Sequence, residues 1–318
     1  MFMRKFVNIF ARGLHSTKAL LEGAIIDGNG IAKQIENEIS VSVESWVKSG
    51  KRRPKLVAII VGDDPASKVY VSRKVKVAKA VGIEAETLTF DKNISQKFLL
   101  NAIKNLNNDS TVDGILVQLP VPASMNEREI CEAVTPSKDV DGFHSENIGK
   151  LCADCDAIVP ATALGVKELI VRTRFDTFGK NAVVIGRSKH VGLPIAMLLH
   201  SDGKGETGAL DMTTTICHRY TPVEELKRHV KLADVIVSAA GVPGLVTQDM
   251  IKPGACVIDV GITRVNTEKG QKLLGDVDFE NVKKIAGHIT PVPGGVGPMT
   301  VVMLMKNTLK AAEKNQRS

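Results

Sequence analysis

Residues 182 to 194 read Ala-Val-Val-Ile-Gly-Arg-Ser-Lys-His-Val-Gly-Leu-Pro, an apolar run followed by a short polar turn and a second apolar run. This pattern predicts a buried strand, a tight turn at Gly186 and a helix that begins near Gly192. Exposed amides at the start of such a helix suit a pyrophosphate group. The turn lacks GxGxxG spacing, because Arg187 and Ser188 occupy its middle, so an ordinary strand-to-helix turn is an equal interpretation.

From residue 24 onward, apolar runs typical of strands alternate with longer helical patterns. Such alternation indicates parallel βαβ units with right-handed crossovers. In the first half we predict strands at 55–61, 84–90 and 114–120 and helices at 67–81 and 95–106. In the second half we predict helices at 165–172 and 191–200 and strands at 181–185, 213–217, 235–238 and 256–260.

The predicted fold class is α/β, with two α/β domains, of which the second is a Rossmann-like dinucleotide-binding domain. We expect the last helix, from Met299 onward, to return to the first domain. The predicted boundaries are 22–160 together with 293–318 for the first domain and 161–292 for the second. Residues 1–21 carry basic and apolar residues without any acidic one, which is typical of a mitochondrial transit peptide; a disordered basic tail is the alternative.

Composition places the chain among soluble globular enzymes, with 318 residues, of which 43% are hydrophobic and 24% charged. No apolar run approaches the length of a bilayer span, so we expect no membrane insertion. The net charge of +7 falls to +3 without residues 1–21, and aromatic residues make up only 4%. A nucleic-acid partner is therefore not expected. The five scattered cysteines predict reduced thiols rather than a disulfide framework.

Small residues follow two further predicted strands, in Ser238-Ala-Ala-Gly241 and in Asp259-Val-Gly261-Ile262. Because the carboxyl ends of parallel strands line the ligand crevice, these ends favour a nucleotide cleft over plain packing. The strand at 213–217 is followed by His218 and Arg219. Without further context, Arg219 and Arg187 predict binding of a 2′-phosphate and therefore NADP. We assign His218 no catalytic role.

The helix after the first strand carries Tyr70-Val-Ser-Arg-Lys74. The i, i+4 spacing places the Tyr70 ring and the Lys74 ammonium on one face, where they suit a flat ligand and a proton transfer. Exposed Tyr and Lys residues at this spacing are common, so a solvated helix face is the alternative. Gln118, which ends an apolar strand, offers a neutral amide that can orient the lysine by hydrogen bonding.

Two loop segments add candidate binding groups. Asp141, followed by Gly142, presents a carboxylate that can accept two parallel hydrogen bonds from a guanidine-like N–C–N edge, although Asp-Gly also forms ordinary turns. The segment Pro291-Val-Pro-Gly-Gly-Val-Gly-Pro298 combines prolines that fix φ with glycines that permit close approach. We expect a stiff, close-fitting loop that leads into a helix; a rigid connector is the alternative.

Taken together, five ordered segments resemble the bifunctional methylenetetrahydrofolate dehydrogenase/cyclohydrolase family, and the similarity runs from about residue 24 to residue 310. The segments are Tyr-Val-x-x-Lys at 70–74, Gly-Ile-Leu-Val-Gln-Leu-Pro at 114–120, Lys-Asp-Val-Asp-Gly-Phe at 138–143, Val-Ile-Gly-Arg-Ser at 184–188 and Pro-Val-Pro-Gly-Gly-Val-Gly-Pro-Met-Thr at 291–300. The resemblance implies oxidation of 5,10-methylene-tetrahydrofolate by hydride transfer to a nicotinamide. It also implies hydrolysis of the methenyl product to 10-formyl-tetrahydrofolate.

The resemblance further implies roles for single residues. By this likeness Lys74 is the cyclohydrolase acid/base, Gln118 tunes it, Tyr70 packs on the folate and Asp141 anchors the pterin. The other implied substrate-binding positions are Val71, Ser72, Arg73, Val117, Leu119, Pro293, Gly294, Gly295, Val296 and Gly297. The implied cofactor-binding positions are Gly186, Arg187, Ser188, Val191, Arg219, Ala240, Gly241 and Ile262.

Arg219 in His-Arg-Tyr-Thr-Pro, with Asp154 and Asp211, resembles the mitochondrial branch of the family, which uses NAD with magnesium and inorganic phosphate. This likeness implies that Arg187 and Arg219 bind the phosphate where a 2′-phosphate is missing, and that Asp154 and Asp211 hold Mg²⁺ directly or through water. Ala163 departs from the branch's Pro-Ala-Thr-Pro, a change that removes no charged ligand. A homodimer in the mitochondrial matrix is also implied.

Two other hypotheses remain open from the sequence. One is an NADP-dependent member of the same family, in which the arginines bind the 2′-phosphate themselves. The other is a catalytically silent nucleotide- or RNA-binding protein on the same fold, since fold does not determine function. The small positive charge that remains without residues 1–21 disfavours this last hypothesis.

Overall fold

The computed structural model describes residues 23–267 and 270–316. The predicted transit peptide at 1–21 lies outside these ranges. The first half contains β1 (Ala24–Ile25), α1 (Gly28–Lys48), β2 (Lys55–Val61), α2 (Pro65–Ala80), β3 (Glu84–Phe90), α3 (Gln96–Asn108), β4 (Gly114–Val117), α4 (Glu127–Ala133) and α5 (Ser145–Cys152). Strands β3, β2 and β4 form a parallel sheet in that order, and six of the seven residues of β2 are buried, as expected for a central strand covered on both faces.

The second half builds a larger parallel sheet. Its elements are α6 (Ala161–Arg172), β5 (Asn181–Ile185), α7 (Gly192–His200), β6 (Thr213–Cys217), α8 (Val223–Leu232), β7 (Val235–Ser238), β8 (Cys256–Asp259), β9 (Thr263–Thr267), β10 (Gly270–Leu274), α9 (Phe279–Val282), β11 (His288–Ile289) and α10 (Val296–Asn315). The six-stranded order is β1-β11-β8-β7-β5-β6, and β9 and β10 form a separate antiparallel hairpin. The strand order reverses at β5, which lies between β6 and β7, so the ligand crevice is expected at the carboxyl ends of β5 and β7.

Helix α10 ties the two halves together. It packs against α1 and α2 of the first half and against α6 of the second. A Cβ atom added at Gly165 on α6 would lie 3.0 Å from Cβ of Met299, so these two helices are in close contact. The buried Asn307 amide donates hydrogen bonds of 2.9 Å to the carbonyls of Val140 and Val159. The start of the chain also contributes to the second half, because β1 pairs with β11 in the six-stranded sheet.

The predicted fold class is confirmed, with two α/β domains and a final helix that packs against the first. Strands β2, β3, β5, β6 and β7 have the bounds that the sequence predicted. The predicted strand at 114–120 ends earlier, at Val117, since Pro120 has no N–H to offer a ladder. The last helix begins at Val296, three residues before Met299. The domain boundaries stay a prediction.

Two further expectations concern the described residues. None of the helices in 23–267 and 270–316 combines the length and the apolar character that crossing a bilayer requires. All five cysteines are free thiols, as predicted.

Candidate functional site

Lys74 lies on the buried face of α2. The helix begins at Pro65 after the Asp64 side chain, which accepts a 2.8 Å hydrogen bond from the Ser67 amide and so caps the first turn. Val71, Lys74 and Ala78 share the face that packs onto the protein. Only 4% of Lys74 is exposed, so its ammonium is largely removed from water. The alternative of a solvated helix face therefore does not hold at Lys74.

The Lys74 ammonium has two close neighbours. Its Nζ atom donates to Oε1 of Gln118 over 3.2 Å and lies 4.7 Å from the centre of the Tyr70 ring. The Gln118 amide is itself oriented, because Nε2 donates to the Leu119 carbonyl over 2.7 Å and thereby turns Oε1 towards the lysine. The sequence predicted this contact from a helix and a strand that are 44 residues apart.

Burial dominates the electrostatics of this group. Removal from water lowers the pKa of Lys74 below its ordinary 10.5, and the nearby Asp141 carboxylate opposes part of that shift. Burial also raises the pKa of Asp141, with Lys74 acting in the other direction. The pKa of Tyr70 rises to about 12 through burial and through the negative charge of Asp141. These three side chains form a desolvated cluster suited to proton transfer.

The cluster lines a cavity of about 240 Å³, to which Gln118 and Leu119 also contribute. A second cavity of about 550 Å³ adjoins it and is lined by the loop 291–298. Both cavities include Tyr70, Thr162 and Thr300, and the hydroxyls of the two threonines are 3.2 Å apart. The predicted loop residues therefore border the same cleft as the lysine. A flat ligand can extend through both cavities.

A third cavity, of about 770 Å³, opens at the carboxyl ends of β5 and β7. Gly186 adopts a φ of 121°, and a Cβ atom there would lie 2.3 Å from the Ala239 carbonyl oxygen. A Cβ atom at Gly192 would lie 2.2 Å from the Gly186 carbonyl oxygen. Side chains at these two positions would collide with the surrounding backbone, so the glycines permit a tight turn. This turn, the pyrophosphate cradle, fits the pyrophosphate of a dinucleotide.

Arg187 and Arg219 both line this third cavity. Their guanidinium carbons lie 6.0 and 5.7 Å from the centre of the Tyr220 ring. Both positive charges are therefore close to the same aromatic ring. Sequence reasoning brought the two arginines together but gave no role to Tyr220, although the residue stands next to Arg219. Two guanidinium groups at this position suit a phosphate group.

The remaining predicted residues divide between the cavities. The 770 Å³ cavity includes Gly186, Ser188 and Ala240, whereas Val191 and Ile262 line the 550 Å³ cavity. The other predicted substrate residues that border a cavity are Arg73, Val117, Leu119, Pro293, Gly294, Gly295, Val296 and Gly297. Val71 lies in the core and Ser72 is exposed; the cavity linings include neither residue, nor Gly241.

The predicted metal ligands lie elsewhere. Asp154 accepts hydrogen bonds from the hydroxyl and amide of Thr207, and a Cβ atom at Gly203 would touch the Asp211 carboxylate, so both aspartates face the segment after α7. Asp211 precedes β6 and Arg219 follows it, which separates them by roughly 16 Å of extended chain. Within 23–267 and 270–316 no three His, Cys, Asp or Glu side chains gather around a possible metal position. Within one chain these aspartates do not fit a magnesium ion that touches the predicted phosphate.

Two groups of residues at the cleft were missed from the sequence. The rings of His190 and Phe143 are in tilted contact, with centres 4.1 Å apart, on the wall of the lysine cavity, and Nε2 of His190 lies 3.2 Å from Oε1 of Glu127. Asp259 and Asp276 are buried under the strand ends, and burial raises the pKa of Asp259 to about 6. The sequence signal for these two aspartates was an acidic residue within an otherwise apolar stretch.

A nucleotide-sized crevice in a doubly wound sheet, together with a desolvated lysine in a cavity of the first half, defines a two-domain enzyme of the dinucleotide-dependent class. Comparison with known proteins gives the family. Residues 26–141 match the model of the tetrahydrofolate dehydrogenase/cyclohydrolase catalytic domain, and residues 160–316 match the model of its NAD(P)-binding domain. The chain belongs to the tetrahydrofolate dehydrogenase/cyclohydrolase family, which confirms the resemblance seen in the sequence, and its cofactor is a nicotinamide dinucleotide.

Three relatives illustrate the similarity. The human protein named bifunctional methylenetetrahydrofolate dehydrogenase/cyclohydrolase 2, mitochondrial, is 58% identical over 306 residues, which cover 95% of this chain and 88% of the human one. The solved 5,10-methylenetetrahydrofolate dehydrogenase of the silkworm Bombyx mori is 55% identical, with a TM-score of 0.88 over 93% of this chain and 100% of that one. The Trypanosoma brucei dehydrogenase-cyclohydrolase, solved with NADP and an inhibitor, is 38% identical, with a TM-score of 0.86 over 93% of this chain and 99% of that one.

We expect the environment of Lys74 to be measurable directly. The pKa of Lys74 should lie below 10.5, and Gln118→Leu should lower it further, because the ammonium then loses a hydrogen-bond acceptor. Gln118→Glu should raise it by adding a negative charge. Carbon-13 NMR of labelled lysine side chains, with the Lys74 signal identified through Lys74→Met, measures all three values. A Lys74 pKa at or above 10.5 in the unaltered protein would contradict the burial argument.

Proposed function

We propose that this enzyme oxidises 5,10-methylene-tetrahydrofolate with NAD and then hydrolyses the methenyl product to 10-formyl-tetrahydrofolate. The observation that carries the proposal is the buried Lys74 ammonium, held by Gln118 and Tyr70 in a cavity that shares three residues with the one beside the 291–298 loop. A single bound folate can therefore present its one-carbon unit both to a proton carrier and to the cofactor side of the cleft.

The hydrolysis requires proton transfers that a lysine of lowered pKa can perform. In its uncharged form, Lys74 accepts a proton as water adds to the methenyl carbon. The resulting ammonium donates that proton to N5 as the bond between the carbon and N5 breaks, and the hydroxyl proton is released as the formyl carbonyl forms. One proton is released overall. Gln118 keeps the lysine directed at the reacting atoms in both charge states, since its carbonyl accepts from either form.

The dehydrogenation needs orientation rather than an acid. When bound, the nicotinamide accepts a hydride from the methylene carbon. The chain binds the dinucleotide at the cradle formed by Gly186 and Gly192, and the 291–298 loop fixes the folate opposite it. Tyr70 packs on the folate ring, and the Asp141 carboxylate accepts hydrogen bonds from the pterin edge. Holding the two reactants at near-contact distance is the main contribution of such a site.

The arginine pair bears on cofactor choice. We place inorganic phosphate between Arg187 and Arg219, where it occupies the space of an absent 2′-phosphate and permits the use of NAD. The second candidate is NADP, whose own 2′-phosphate would bind the same arginines. It is favoured by the Trypanosoma brucei relative, whose structure was solved with NADP. Both candidates use the positive charge collected around Tyr220.

A homodimer completes the proposal, and β6 offers a surface for it. Within the described chain β6 pairs with β5 alone, and the Thr213 amide and the Cys217 carbonyl bond towards β5, so the backbone groups of Thr214 and Ile216 point outward. Antiparallel pairing about a two-fold axis at Thr215 would join Thr214 to Ile216 of the partner subunit.

The same axis would bring Asp211 of the partner subunit opposite Arg219, because the two positions are equally distant from Thr215. This arrangement would bring Asp211, one of the predicted magnesium ligands, near a phosphate-binding arginine from which β6 separates it within a single chain. A magnesium ion there would support the phosphate through carboxylate and water ligands. The chemical steps above do not pass through it.

The proposed location is the mitochondrial matrix. Its support is the printed name of the human relative, which is mitochondrial, and the basic, acid-free composition of residues 1–21.

Replacement of Lys74 tests the proton carrier. Lys74→Met should lower the hydrolysis of added 5,10-methenyl-tetrahydrofolate by about 10²-fold or more, since positioned proton transfer is typically worth that much. NAD-dependent oxidation should fall less, because hydride transfer needs no proton carrier. Both rates are followed by the absorbance of the methenyl compound. Lys76→Met, an exposed change on the same helix, is the control. Undiminished hydrolysis in Lys74→Met would refute the assignment.

A cofactor titration tests the anion site. At saturating folate, the rate with NAD should rise when inorganic phosphate is added, and Arg219→Gln should raise the phosphate concentration needed by about tenfold through loss of a charge-assisted contact. Arg228→Gln should respond like the unaltered enzyme, because that arginine pairs with Glu225 on the surface of α8. A faster reaction with NADP that ignores phosphate would instead establish the second candidate.

The dimer is tested at Thr214. Thr214→Pro removes an N–H that points away from β5, so it should yield a monomer in sedimentation velocity and abolish activation by magnesium with phosphate. Thr214→Val keeps the N–H and the side-chain shape, and it should remain dimeric. If Thr214→Pro sediments as a dimer, the β6 edge is not the interface.

A further inference from the structure

We infer that Asp276 is a positioning residue for the dehydrogenase reaction, because its carboxylate shapes the turn after β7 that receives the dinucleotide. The inference rests on the proposed function, since it concerns how the same chain binds NAD. Asp276 touches neither folate nor cofactor in this assignment. It acts through the Ser238 hydroxyl and the backbone amides of residues 240–242.

The Asp276 carboxylate is fully buried and accepts hydrogen bonds only from this turn among the side-chain contacts described. Oδ2 accepts from the Ser238 hydroxyl at 2.9 Å, the Ala240 amide at 2.7 Å and the Gly241 amide at 3.2 Å. Oδ1 accepts from the Val242 amide at 2.8 Å. Three consecutive amides thus converge on one carboxylate.

Only a side chain whose two terminal atoms both accept hydrogen bonds can satisfy these four donors. An asparagine in the same place would turn an NH₂ group towards either the Val242 amide or the amides of Ala240 and Gly241. Two donors would then face each other in a site without access to water, and a buried N–H would lose its partner. The turn would have to open to restore hydrogen bonding.

The turn that Asp276 holds is part of the dinucleotide cavity. Ala239, Ala240 and Val242 line the 770 Å³ cavity, and Gly241 adopts a φ of 70° within the turn. The Ala239 carbonyl lies so close to Gly186 that a Cβ atom there would be 2.3 Å away. Movement of this turn therefore displaces the pyrophosphate cradle itself.

Asp276 is also held by hydrogen bonds that lead to the 291–298 loop. Its backbone amide donates to Oδ1 of Asp259 at 3.0 Å, and the Asp259 amide donates to the Thr290 hydroxyl at 2.7 Å. Asp259 borders the 550 Å³ cavity, and Thr290 directly precedes the 291–298 loop. A continuous set of hydrogen bonds thus links the folate loop to the dinucleotide turn. The four donors of the turn explain why an acidic group is buried at position 276 rather than an apolar one.

Asp276→Asn tests the assignment in the full-length enzyme. We expect the KM for NAD and the dissociation constant of NADH, the latter from fluorescence titration, each to rise by about tenfold or more, as for the loss of a hydrogen bond to a charged group. Hydrolysis of added methenyl-tetrahydrofolate, which uses no cofactor, should stay within about twofold of the unaltered enzyme. Asp278→Asn, two residues away and outside the three cavities, is the control and should leave all three values unchanged.

Other outcomes decide against the inference. An unchanged NADH dissociation constant in Asp276→Asn would overturn it, and so would an equal loss of hydrolysis and NADH binding, which would show a general folding role. If Asp276→Asn does not fold, Ser238→Ala removes one donor, and a dissociation constant for NADH equal to that of the unaltered enzyme would overturn the inference. An unaltered enzyme that binds NADH but fails to oxidise the folate would contradict the proposed function alone, since NADH affinity still tests Asp276.

Discussion

Taking an ammonium group out of water costs several kcal/mol unless acceptors and negative charge surround it. At Lys74 the protein supplies a carbonyl from Gln118, the face of the Tyr70 ring and the carboxylate of Asp141. These groups come from the end of β4, from α2 and from the segment before α5, so they meet only when the first sheet and its helices are assembled. The substrate half is arranged around this desolvated charge. Its chemical value is a lysine that exchanges protons nearer neutrality than a solvated one.

The cleft also explains how one chain performs two reactions on the same carbon. Thr300 lies in the second turn of α10 and Thr162 in the first turn of α6, and both border the lysine cavity and its larger neighbour. Helix α10 continues directly from the 291–298 loop and packs against α1 and α2, so the loop is joined to the half of the chain that carries Lys74. On the proposed function, a folate bound there need not move between hydride loss and hydrolysis.

Local patterns in the sequence predicted the strands and the shared face of Tyr70 and Lys74, because periodicity and i, i+4 spacing are local properties. The burial of Lys74 was not predictable in this way, since exposed residues such as Ser72 and Arg73 stand beside it and only packing decides. The role of Asp276 was not predictable from a local pattern, because its hydrogen-bond partners are 34 to 38 residues away. The separation of Asp211 from Arg219 follows from their places before and after one strand. The family resemblance implies both residues as ligands but carries no information on the distance between them.

The two activities differ in how accurately the two halves of the chain must be placed relative to each other. In the proposed mechanism, hydrolysis takes place beside Lys74, in the half of the chain that contains the first sheet and α10, and it uses no group of the second sheet. Hydride transfer joins atoms held by different halves, and it requires them about 3 to 3.5 Å apart. The hydrogen bonds from Thr290 through Asp259 and Asp276 to the turn after β7 run across this junction. On the proposed function, a change there would move the cofactor relative to the folate without moving Lys74, so we expect dehydrogenation to be lost more easily than hydrolysis.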